Sequence, residues 1–420
     1  MSTKPSNTQQ STSAEEIFHY VESHENPFFN LSLLAGNYGQ ILYYGYLYQS
    51  YRNPQYLERV YDLIAAALDT FQEQISGNDN LDATHGSGFS GFFWVLGHLS
   101  EIGVLEESLD DIIDPDIQEF VEKSLDADIE IENYDPLYGF IGKGLFLLQQ
   151  KEKPFAKRGI EKIIKALDKS KITDKDGNYT WVDIRNITHV DKNKSEHVVY
   201  DCGLAHGVTG IIAFCCEAYP ILEDQELRTL TKTLIRKASL WLLSQEKEND
   251  LFKFPIAKFK NTADPGNHPY YARLGWCYGD ICIAITLTKV ASILKEGDYF
   301  QTKAMEIAIH STAIDLRQSG TVKENGKIDP SFCHGTCGIS YIYLKLFEQL
   351  KDDRLKQASK FWEKITREQT ALYLEEQNLI SELTDQQEDY GLLYGYMGIG
   401  LVNLSLEESK SFTWDKMLLL

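Results

Sequence analysis

The amino-acid sequence predicts an all-α fold, an α/α toroid of about seven helical hairpins carrying one small inserted subdomain. Two observations lead there. The first is a short pattern of glycine, two residues, glycine and an apolar run, found at Gly36/Gly39, Gly88/Gly91, Gly139/Gly142, Gly207/Gly210, Gly335/Gly338 and Gly395/Gly398. A seventh copy begins at Gly279, where Cys282 replaces the second glycine. The first glycines stand 51 to 72 residues apart, enough for a pair of helices and their connections.

The second observation is that two kinds of helix-length segment alternate. Those after the glycine pairs, such as GQILYYGYLYQ, GFFWVLGHL and GISYIYLKLFEQL, are apolar nearly all round, as helices covered on every side are. Between them, Tyr56–Ile75, Phe155–Ile172 and Tyr299–Gln318 mix apolar and charged residues at a period near 3.6, so one face is wet. Each unit is therefore a wet outer helix and a buried inner one joined through a glycine turn. Because the inner layer is buried, the units are expected to close into a ring rather than an open solenoid. The turns share one phase, so they gather at one rim, where a site would be built.

Read in order, Met1–Ala14 has almost no apolar residue and is expected to be a disordered tail before a toroid domain at 15–420. The interval 170–201, with the β-like runs Thr180–Ile184 and Ile187–Val190, reads as an inserted flap or small subdomain. Asn249–Ala272, with three prolines, reads as a long ordered loop. The apolar Met417–Leu420 is expected to dock on the core.

Acidic residues outnumber basic ones 62 to 41, a net charge of −21, which makes nucleic acid and anionic lipid poor main partners. No apolar run approaches the ~20 residues of a transmembrane helix, and no secretory signal opens the chain. Seven scattered cysteines fit reduced thiols and a cytoplasmic location.

Chemistry appears when the turns are aligned on their first glycine. Cys277 and Cys333 stand two positions before it in the fifth and sixth turns, and His334 follows Cys333. Two thiolates and an imidazole from neighbouring hairpins suit one zinc ion and leave a tetrahedral position open, the mark of a catalytic site. His206, in the same phase as His334, is a candidate acid or base near neutral pH. His85, two places before the corresponding Ser87, is out of phase and reads as structural. Cys202, Cys215, Cys216, Cys282 and Cys337 read as core.

The motifs Gly203-Leu204-Ala205-His206-Gly207, Trp276-Cys277-Tyr278-Gly279 and Cys333-His334-Gly335 resemble, in order and spacing, the signatures of the LanC lanthionine cyclases. The likeness runs over about residues 28–405. It implies one Zn2+ held by Cys277, Cys333 and His334, with Asp135, His206, Arg273 and Tyr278 as catalytic residues and no organic cofactor. It also implies addition of peptide cysteine thiols to dehydroalanine or dehydrobutyrine in a dehydrated lanthipeptide precursor. A dehydratase and an ABC exporter follow as expected partners, which would bring the chain to the inner face of the membrane within a biosynthetic complex. Two departures stand out: Ile281 and Cys282 follow Asp280 where the family commonly has a proline and a glycine, and Tyr138 and Tyr394 replace acidic residues. Two other readings are a LanC-like zinc protein that binds glutathione or partner proteins without cyclisation, and a zinc-dependent prenyl transferase.

Overall fold

The computed structural model describes residues 12–24, 31–76, 81–106, 113, 115–185, 199–248, 250–259, 272–295, 298–375, 390–409 and 411–420. Among these residues the fold is all-α. Seven inner helices start at the glycine turns: α2 (Asn37–Tyr51), α4 (Phe89–Glu101), α6 (Phe140–Gln149), α8 (Val208–Ala218), α10 (Asp280–Leu294), α12 (Thr336–Leu350) and α14 (Tyr396–Glu407). The first glycine of each repeat is the residue that caps its inner helix, as the register predicts. The outer helices are α1 (Ala14–Ser23), α3 (Pro54–Ser76), α5 (Pro115–Glu130), α7 (Pro154–Ser170), α9 (Gln225–Leu243), α11 (Tyr299–Ser311) and α13 (Asp353–Glu375).

Each inner helix packs on the next, and α14 packs back on α2, which closes the ring. Closure is completed by the first outer helix, α1, which packs on α14 and α2. Ser13 caps α1 through the Glu16 amide at 3.2 Å, and the Thr12 carbonyl accepts from Arg367 Nη1 at 2.9 Å. These polar atoms tie Thr12 and Ser13, ahead of the expected boundary at residue 15, to the rest of the ring. Residues 1–11 lie outside the described residues. Helix α11 is also shorter than its period suggests: Asp315 accepts the amides of Arg317 and Gln318, and this turn follows the end of the helix.

Among the described residues strand occurs only as short fragments. Ile172–Thr173 pairs antiparallel with Tyr179–Thr180 inside the expected insertion. Val199–Asp201 pairs antiparallel with Ala257–Phe259, so part of the expected loop is a strand. The run Ile187–Val190 lies outside the described residues. The C-terminal 3-10 helix, Thr413–Leu418, enters the ring. Trp414 stacks on Tyr341 with ring centroids 5.1 Å apart, and Trp276 Nε1 donates to the Leu418 carbonyl at 2.9 Å. His85 Nε2 lies 3.0 Å from the Met417 carbonyl. The tail therefore touches the second, fifth and sixth repeats at once and fills the interior beneath the rim.

Candidate metal centre and rim cavity

The rim turns are held to one another by backbone hydrogen bonds, two per junction. The residue two places before each first glycine offers its carbonyl to two successive amides of the preceding turn. Gly86 accepts from Leu33 and Leu34, and Leu137 from His85 and Gly86. Cys277 accepts from Leu204 and Ala205, Cys333 from Trp276 and Cys277, Leu393 from Phe332 and Cys333, and Leu34 from Leu392 and Leu393. The ladder runs round the ring except between the third and fourth turns. There Pro136 has no amide hydrogen to give, and the amides of Leu137 and Tyr138 go instead to Asp135 Oδ1, at 2.8 and 3.0 Å.

The second glycine matters because the turn lies directly on the helix. A Cβ at Gly338 would come within 1.9 Å of the Phe332 carbonyl oxygen. The fifth turn solves the same problem differently. Gly279 adopts φ +103, which L side chains rarely tolerate, and Cys282 Sγ donates to the Gly279 carbonyl at 3.1 Å.

Within this frame the residues one place before each first glycine, except Ser87, line a cavity of about 510 Å³: Ala35, Tyr138, His206, Tyr278, His334 and Tyr394. Cys277, Cys333, Arg273 and Arg185 also line it. The ligand atoms of Cys277, Cys333 and His334 all lie within 4.8 Å of one another, close enough for one ion. The Cys333 thiol donates to Cys277, which holds Cys277 well below the usual thiol range; His334 and Arg273 help, and burial opposes them. The same bond and burial push Cys333 up. The pair thus shares a proton readily lost to a metal. Asp329 Oδ2 lies 3.5 Å from His334 Nε2, leaving the other ring nitrogen for the ion. Burial pushes the Asp329 carboxyl up, but His334, Lys323 and Ser331 outweigh it and hold it down.

On the other side of the cavity His206 Nδ1 stands 2.8 Å from Asp135 Oδ2. Asp135 is 4% exposed, yet its carboxyl is held below the usual range: burial raises it, while His206, Arg185 and the Leu137 amide lower it further. Tyr278 donates to Asp201 Oδ2 at 2.9 Å, so its phenol is engaged and pushed up by burial and that carboxylate. Arg273 pairs with no carboxylate among the described residues and turns its charge to the cavity. Cys202, Cys215, Cys216, Cys282 and Cys337 are buried, and burial raises each thiol.

Three groups at this site escape the motif search: Asp201, Asp329 and Arg185. A signal for the first two was available. Six positions before each first glycine stand Asn30, Asp82, Asn133, Asp201, Arg273, Asp329 and Asp389. In the second, fourth and sixth turns this aspartate accepts the amide two residues on, at 2.7 to 2.8 Å, and so starts the turn. Arg273 breaks that series, in the one turn whose glycine has positive φ. Arg185 carries no such register.

A closed helical ring with a Cys-Cys-His cluster at one rim defines a toroid protein able to hold a metal ion. The family model for lanthionine synthetase C-like proteins matches residues 27–419, and the chain belongs to that family. The nisin biosynthesis protein NisC of Lactococcus lactis subsp. lactis is 26% identical over 360 residues, covering 80% of this chain and 76% of that one. The solved structure of nisin cyclase superposes with a TM-score of 0.71 at 20% identity, over 97% of this chain and 96% of that one, a likeness of fold. No helix among the described residues is long and apolar enough to cross a membrane.

Proposed function

We propose that this chain is a zinc-dependent lanthipeptide cyclase, acting on a dehydrated precursor peptide to form lanthionine and methyllanthionine rings. One observation carries the reading: the Cys277–Cys333–His334 cluster and His206, which Asp135 holds from behind, line a single cavity. Two soft thiolates and an imidazole are a donor set that zinc favours, and a three-ligand site keeps one position for substrate. Bound there, zinc would deprotonate an incoming peptide thiol near neutral pH.

The chain's own residues account for the rest. The sulfur bonds to the β-carbon of the dehydro residue, and a proton must reach the α-carbon. His206 is the donor: with Nδ1 fixed by Asp135, its Nε2 is presented to the cavity. Arg273 places positive charge where the substrate carbonyl gains electron density. Tyr278, tied to Asp201, shapes the wall beside Cys277. A diphosphate substrate is disfavoured, because among the described arginines lining the cavity Arg185 is already matched by three carboxylates, which leaves Arg273.

The test is metal analysis of the purified chain together with cyclisation of a dehydrated precursor, scored by blocking residual thiols. One zinc per chain and loss of free peptide thiol are expected. Zinc binding with no consumption of thiol would reduce the reading to a non-cyclising scaffold.

A further inference from the structure

We propose that Arg185, on the inserted segment, is a positioning residue of this site: it holds Asp135 against His206 and joins both to Asp201 and Tyr278. The proposal rests on the cyclase reading above. The guanidinium is shared among three carboxylates. Its fork sits on Asp183, with Nε to Oδ1 at 3.0 Å and Nη2 to Oδ2 at 2.9 Å. Nη2 also donates to Asp201 Oδ2 at 2.8 Å, and Nε lies 3.5 Å from Asp135 Oδ2. Its side chain is 35% exposed and lines the cavity.

Asp135 is thereby fixed on every side. Oδ1 takes two backbone amides, and Oδ2 faces His206 on one side and Arg185 on the other. The titratable groups facing this centre are Asp135, His206, Asp183, Asp201 and the phenols of Tyr134 and Tyr278. Among the described residues, three carboxylates thus face one guanidinium and one imidazole. Removing Arg185 would leave the imidazole before an uncompensated share of that negative charge. It would hold its proton more tightly and donate it more slowly, and Asp135 Oδ2 would lose one of its two partners. Lysine cannot replace the planar fork that spans Asp183 and Asp201.

The test compares R185Q and R185K with the wild type by zinc content, steady-state cyclisation and NMR titration of ring-labelled His206. In R185Q, kcat should fall about 10- to 100-fold, as for a misplaced reacting group, with KM within about twofold and zinc unchanged. Loss of the neighbouring cation should move the measured His206 midpoint up. R185K should keep the wild-type midpoint but recover only part of kcat. An unaltered kcat and midpoint in folded R185Q would overturn the role of Arg185 and leave the cyclase reading standing. A change confined to KM would overturn positioning in favour of substrate contact. If R185Q does not fold, full kcat in R185K overturns the need for the fork. If the wild type cyclises nothing, the function reading fails, and the His206 midpoint alone decides whether Arg185 governs the pair.

Discussion

The two halves of the cavity are built by different means. Around the fifth and sixth turns the backbone ladder is intact, and Cys277 and Cys333 use their own carbonyls as its rungs. Their thiols therefore inherit positions set by main-chain hydrogen bonds. At the third and fourth turns Pro136 interrupts the ladder, and a side chain takes over: Asp135 accepts the Leu137 amide, which elsewhere goes to the next turn's carbonyl, and that of Tyr138 beside it. A metal site tolerates little error in ligand position, and backbone placement suits it. The proposed proton donor must be tuned by charge, and the gap in the ladder admits Asp135, His206 and Arg185 to each other.

This contrast can be broken most sharply at the ligands. Cys277→Ala or Cys333→Ala should lose zinc and cut cyclisation by about 10³-fold or more, as loss of several kcal/mol of metal stabilisation implies. Metal analysis beside a cyclisation assay checks it, and retained zinc would refute the ligand set. On the other side, His206→Asn and Asp135→Asn should cost about 10²- to 10³-fold in kcat while zinc stays bound. Loss of the metal in either variant would show that the two halves are not separable.

Asp329→Asn tests the support of the metal side alone. It should weaken zinc about 10- to 100-fold, read by competition with a chelator. A smaller effect is expected from His85, which lies on the intact part of the ladder and touches the tail. Burial pushes its pKa down to about 4, so it is held neutral. A folded value below the unfolded one means that stability is complete above pH 6.5 and falls as acid is added. The loss should reach about 2 kcal/mol by pH 5, and His85→Gln should flatten the slope of unfolding free energy over that interval. Smallest of all is Pro136→Ala, which restores an amide at the gap. It should lower stability by about 0.4–1 kcal/mol through the freer unfolded chain. A gain in stability on denaturant unfolding would show that the ladder prefers to close there.

Much of the site was legible because the repeats share a register. Cys277, Cys333 and His334 could be aligned without coordinates, and His206 stood in phase with His334. Asp201 and Asp329 carried a readable signal six positions upstream of their glycines, masked because the role of that position is local turn capping. Arg185 carried none. It lies in one of the two intervals that depart from the repeat, and its importance comes from carboxylates 50 residues upstream and 16 downstream.

The sequence by itself determined the helices, the phase of the seven turns and the thiols and imidazole that stand on the fifth and sixth. Glycine spacing and apolar periodicity are local, and so is the choice of cysteine and histidine. Only the tertiary structure decided that α14 meets α2, that the tail fills the ring, and that the missing amide of Pro136 is offset by Asp135 facing His206 and Arg185. Those outcomes depend on which distant atoms become neighbours once the ring closes, and no window along the chain contains both partners.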